Sequence, residues 1–153
     1  PVHDDDLSTS VAMVKKIIDG SIPLLPDMGI CVTDVRDVAE AHVRALEAPA
    51  QQVRGERFPT SQKFLWLREM AAIIRQRVPE HAGRVPRRGM PNWLVHMLAP
   101  FMDEMKQVRG ELGNVRDVSG RHTEEVLGFT FIAAEQTLED TVRSLAAKGI
   151  VTH

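Results

Sequence analysis

The side chains that could do chemistry are few and scattered. In 153 residues there are six histidines (His3, His42, His81, His96, His122 and His153) and one cysteine, Cys31. No two histidines share an H-E-x-x-H or a two-histidine, one-carboxylate spacing on one helix, so no metal centre is expected. His122 precedes Glu124 and Glu125, a pattern common at exposed helix starts. The run Asp4-Asp5-Asp6 reads as a solvated loop rather than a cation site. No G-x-S-x-G is present, so a hydrolase triad has no anchor. Cys31 has no activating neighbour in sequence and is not read as a nucleophile. Arg84, Arg87 and Arg88 make a basic patch around Val85-Pro86. A solvated loop is the plain reading of that patch. Nucleic acid is disfavoured, because no aromatic platform is interleaved and the net charge is −2. An approach to an anionic substrate or a cofactor phosphate is the remaining alternative. Two absences weigh more. Tyrosine does not occur, and no strand is followed by a G-x-G-x-x-G loop.

The elements that must position these groups centre on residues 30–48, ICVTDVRDVAEAHVRALEA. Ile30, Cys31, Val32 and Thr33 predict a short strand that turns into an amphipathic helix. Val35, Val38, Ala39, His42 and Leu46 fall on one 3.6-residue face and are expected to be buried, with His42 as a core or boundary histidine. Asp34 is placed to cap the helix, Asp37 adds negative charge in its first turn, and Glu40 and Arg44 pair one turn apart. Upstream, Ser8, Thr9 and Ser10 are candidate caps for a helix with Val11, Val14, Ile17 and Ile18 inward and Gly20 at its stop. Pro23, Pro26 and Gly29 mark a loop.

Downstream, E-R-F-P-T-S at 56–61 predicts a short strand, with Pro59 suited to an edge or an end. A helix follows over about 65–77, flanked by Trp66 and stopped by Pro79. Pro91 opens another helix, interrupted by Pro100. The next spans about 101–112, with Met102, Met105 and Val108 inward, the methionines as adaptable core packing or, alternatively, a flexible lid over an apolar substrate. Residues 115–118 read as a possible strand, and a small helix runs over 120–127 to Gly128. Thr137 is the expected N-cap of the last helix, with Leu138, Val142, Leu145 and Ala146 buried.

The wording D-V-R-D-V-A-x-A-H after a small apolar strand resembles the extended short-chain dehydrogenase/reductases, nearest the dihydroflavonol, cinnamoyl-CoA and aldehyde reductase branch. Leu127-Gly128-Phe129 after a short helix resembles that family's closing pattern. In the family this segment lies in the C-terminal half, where the substrate region rejoins a Rossmann core. The resemblance implies a helix-rich α+β chain: a partial Rossmann-type α/β fold lacking the N-terminal dinucleotide-binding half. Residues 1–153 form a single domain, with five to seven helices and two to four short strands. It implies that Pro1 and Ser10 border the cofactor, and that Met28 and Cys31 line the substrate pocket. Helix capping by Ser10, gap-filling by Met28 and strand packing by Cys31 are the plain alternatives. The family's proton donor is the tyrosine of Tyr-x-x-x-Lys, absent here, so no catalytic residue is assigned.

The implied parent is an NAD(P)H-dependent oxidoreductase that reduces a carbonyl on a small, mostly apolar substrate. NADP(H), or else NAD(H), would be bound mainly by the missing N-terminal half, and this chain alone would be inactive. The alternative is a stand-alone binding or oligomerisation module, because helix faces that would pack on the missing half favour self-association. The sequence opens on Pro1, and the expectation is a fragment or a processed product. With 43% apolar and 26% charged residues, no apolar run of membrane-spanning length, no signal peptide and one cysteine, the expectation is a cytoplasmic protein with neither nucleic-acid nor membrane partners.

Overall fold

The computed structural model describes residues 8–151, apart from the side chain of Glu104. Helix α1 (Thr9–Ile18) leads through a proline-rich loop to strand β1 (Gly29–Val32), then to α2 (Val35–Glu47) and the single turn α3 (Ala50–Val53). Strand β2 (Lys63–Trp66) runs directly into α4 (Leu67–Arg77) and a 3-10 turn (Pro79–His81). The chain closes with α5 (Asn92–Leu98), α6 (Asp103–Glu111), α7 (Arg121–Leu127) and α8 (Ala134–Ala147). Helices dominate, as expected, but the described residues hold eight α-helices rather than five to seven, three of them of seven residues or fewer, and one two-stranded sheet.

β1 and β2 pair antiparallel, with Gly29 opposite Trp66 and Cys31 opposite Phe64. A Cβ on Gly29 would lie 2.5 Å from the Leu65 carbonyl oxygen and from Phe64 Cζ, so the absence of a side chain there lets the two strands meet. The core lies between this ribbon and helices α1, α4 and α8. Ile17, Leu65, Leu67, Met70, Ile74, Val142 and Leu145 are almost fully buried in it. Their spacing on α1, α4 and α8 is the 3.6-residue stripe read from sequence. Gly128 ends α7 with φ +68°, a conformation that glycine adopts without steric penalty.

Several elements differ from expectation. The strand expected at 56–61 forms no ladder, and the pairing strand lies a few residues later. Pro59 has no N–H to donate, and the carbonyls of Pro59 and Thr60 accept from the hydroxyls of Thr123 (2.7 Å) and Thr33 (2.5 Å) instead. Trp66 ends β2, where its backbone N–H donates to Glu69 Oε2 at 2.9 Å. Residues 115–118 are exposed and form no strand. α8 begins at Ala134, so Thr137 lies inside it, buried, with its hydroxyl donating to the Ala133 carbonyl. Ser10 sits within the first turn of α1 rather than at its cap, and the N-cap Ser8 makes no side-chain capping bond.

The largest correction concerns α2. Its buried residues are Asp37 and Ala41, while Ala39 and His42 are exposed. Val35 is 47% and Leu46 87% exposed. Polar bonds turn the helix this way. Asp37 Oδ2 accepts from the Ile132 backbone N–H (2.9 Å), and Arg44 Nη1 donates to the carbonyls of Leu127 (3.1 Å) and Gly128 (2.6 Å). The apolar stripe on the opposite side therefore faces outward.

Candidate functional site

Asp34 joins β1 to α2 and organises the region. Its side chain is fully buried. Oδ1 accepts from Arg36 N and Arg36 Nε, both at 2.9 Å, and Oδ2 accepts from Arg36 Nη2 at 2.8 Å. Burial alone would raise the carboxyl, but the bonds and charge of Arg36 outweigh it and hold the pKa at about 2. Arg36 also reaches Asp140 Oδ2 on α8 at 2.5 Å, which ties the two helices together. Asp37, one turn on, behaves oppositely. Burial pushes its pKa up, and the bond from Ile132 N only partly compensates. Asp34 and its helix are thus where the sequence placed them.

Two concavities flank α1. The first is a groove of about 360 Å³ between α1, β1, the start of α2 and α8, lined among others by Ser10, Cys31, Thr33, Val35 and Thr141. The second is a cavity of about 690 Å³ on the other side of α1, closed by α6. Its lining includes Met13, Met28, Met90, Met105 and Val108. Both volumes lie in the range of small-molecule sites, roughly 300–1,000 Å³. The structure therefore brings Ser10 and Cys31 to one groove and Met28 to another cavity, and Pro1 lies outside the described residues. Cys31 is half-buried and its thiol donates to the Arg116 carbonyl at 2.9 Å.

The sequence reading assigned Met105 and Val108 of α6 to core packing or to a lid over an apolar substrate, and both line the Met28 cavity, but it missed Met13 and Met90. Their half-burial has no periodic signature in a loop or on a helix flank. A smaller polar recess of about 280 Å³ adjoins Ser61 and Gln62, whose side-chain oxygens are buried without a partner. Among the described residues no group of three histidines, cysteines or carboxylates could hold a metal ion, and no helix is long and apolar enough to cross a membrane. His42 Nδ1 lies 2.7 Å from the Val38 carbonyl and His122 Nε2 lies 3.0 Å from Glu56 Oε2, both on the surface.

A strand leading into a helix is where a dinucleotide's phosphates commonly sit, against the helix N–H groups. Here the Asp34 carboxylate occupies the first turn of α2 and is negatively charged. The residues present do not fit a cofactor pyrophosphate at this turn.

No family model matches the chain. In sequence it is 32% identical over 133 residues to the ketoreductase azaE of Aspergillus niger, a match covering 87% of this chain and 33% of that protein. In fold it is similar to Gre2 from Candida albicans in complex with NADPH (TM-score 0.63, 23% identity, 95% of this chain and 38% of that one). The yeast methylglyoxal/isovaleraldehyde reductase Gre2 complexed with NADPH matches equally, with TM-score 0.63, 23% identity and the same two coverages. A protein designated gox2253 matches at TM-score 0.70 and 18% identity, over 95% of this chain and 46% of its own.

The homologues are thus reductases, and the fold is part of a Rossmann-like reductase fold. The chain spans about a third of the curated relative's length. The likeness to extended short-chain reductases carried by residues 34–42 is borne out, and these matches agree with an origin in the C-terminal part of such a protein.

Proposed function

We propose that this chain is the substrate-binding portion of an NAD(P)H-dependent oxidoreductase that reduces a carbonyl on a small, mostly apolar substrate, and that it is inactive alone. The observation that carries the reading is the apolar cavity at Met28; on the other side of α1, Asp34 closes the β1–α2 turn to phosphate. Such a chain can hold a substrate body but has no phenol to protonate a carbonyl oxygen and no turn to hold the cofactor. Met28 lines the substrate cavity in this reading, and Cys31, assigned with it to the substrate, lines the separate groove at Ser10. Ser10 and Pro1 edge a cofactor, NADP(H) or NAD(H), held mainly by residues outside this chain. A cytoplasmic location belongs to the same reading, and the single cysteine fits a reducing compartment. The test is the coding sequence upstream of Pro1. A glycine-rich β-turn-α and a Tyr-x-x-x-Lys are expected there, and an unrelated or absent upstream region sinks the proposal.

A second reading is a stand-alone binding or oligomerisation module. It is favoured by one observation, the exposed apolar side chains of α2: Val35, Val43 and Leu46. Size exclusion at several concentrations tests the patch: self-association supports this reading, and a strictly monomeric, cooperatively melting chain argues against it.

A further inference from the structure

The Met28 cavity separates an apolar interior from a polar mouth. Met13, Met28, Met90 and Met105 reach it from α1, the loop before β1, the loop before α5 and α6, and all four are half-buried. Unbranched thioether side chains re-pack around differently shaped apolar groups at little energetic cost. Lys16 and Gln107, both exposed, and half-buried Glu111 also line the cavity and mark its solvent-facing side as the mouth. Lys16 and Glu111 place one charge of each sign there, and Glu111 Oε1 already accepts from Arg116 at 2.6 Å. Neither an anion nor a cation gains clearly from that pair. The carboxamide of Gln107, exposed on α6, offers both a donor and an acceptor.

From this arrangement we infer that the cavity takes an amphipathic ligand. Its aryl or alkyl body lies among the four methionines, and an uncharged hydrogen-bonding end group, such as an amide, ester or hydroxyl, is held at the mouth by Gln107. This deepens the proposed function and rests on the reading of Met28 as substrate wall. Gln107 acts as a specificity residue, selecting the end of the ligand remote from the reacting carbonyl.

The experiment is a titration of the 153-residue chain, labelled at its seven methionine methyls, with ethylbenzene and with 4-phenylbutanamide. The expected result is movement of the Met13, Met28, Met90 and Met105 signals, with Met70, Met97 and Met102 still. Gln107→Leu, an exposed substitution that leaves the melting curve unchanged, should weaken the amide by roughly three- to tenfold and leave ethylbenzene alone. Shifts absent from the four methionines, or shared equally by Met97 and Met102, overturn the inference. Equal loss of both probes in Gln107→Leu overturns the role of Gln107. The reductase reading fails separately: an upstream region without the tyrosine and glycine motifs removes it whatever this titration shows.

Discussion

Asp34→Asn isolates the charge at the centre of the fold. Asparagine is nearly isosteric and keeps an oxygen for the Arg36 N–H, so the helix cap survives. What disappears is the negative charge facing Arg36 Nε and Nη2. The folded carboxyl is lowered from 3.8 to about 2. At roughly 1.4 kcal/mol per pKa unit this gap corresponds to about 2.5 kcal/mol. The Arg36 side chain is 46% exposed, so solvent screens part of the interaction, and about 2 kcal/mol is expected. The sign follows from linkage. A carboxyl with a lowered folded pKa contributes its stability in full above its unfolded value near 4, and loses it as the pH falls through about 2. Urea unfolding followed by circular dichroism should show Asp34→Asn less stable by about 2 kcal/mol at pH 7, with the difference shrinking between about pH 4 and pH 2. A difference under about 0.5 kcal/mol at pH 7, or one of constant size down to pH 3, would refute the assignment of this stability to the charge.

Asp37→Asn should do the reverse. Burial raises its pKa, so its charge opposes folding above the folded pKa and the opposition is relieved as the pH falls; asparagine can still accept from Ile132 N, and urea midpoints at pH 7 should stay level or rise. Gly29→Ala places a Cβ 2.5 Å from the Leu65 carbonyl oxygen and Phe64 Cζ, and should lower stability by about 1–3 kcal/mol in thermal melts as β1 and β2 are forced apart. Leu46→Glu alters a side chain that is 87% exposed. It should change the isolated chain's stability by no more than about 0.5 kcal/mol, while lowering any concentration-dependent association seen by size exclusion.

What could be read in advance divides along a physical line. The strand, the Asp34 cap and the stripes of α1, α4 and α8 were legible because their determinants are local: a carboxylate two residues before the N–H it accepts, and apolar residues on one face. The outward face of α2 was not legible. Periodicity finds an apolar stripe but does not say which neighbour covers it, and in this chain the polar bonds of Asp37 and Arg44 turn the helix toward α7 and residues 128–132. The strand at 56–61 failed for a related reason. Its composition suits a sheet edge, but the described residues offer it side-chain hydroxyls rather than a neighbouring strand. Of the site residues, Ser10 and Cys31 share a groove, but the separation of Met28 from them depends on where α1 lies between the two concavities.

The most direct test of the whole account is NADPH consumption over a panel of aldehydes. It would be measured for this chain and for the polypeptide extended by its upstream coding region, at equal molar concentration. The account predicts no turnover above background for residues 1–153 and clear turnover for the extended protein. Turnover by residues 1–153 alone, or none by an extended protein that carries the tyrosine and glycine motifs, would contradict it.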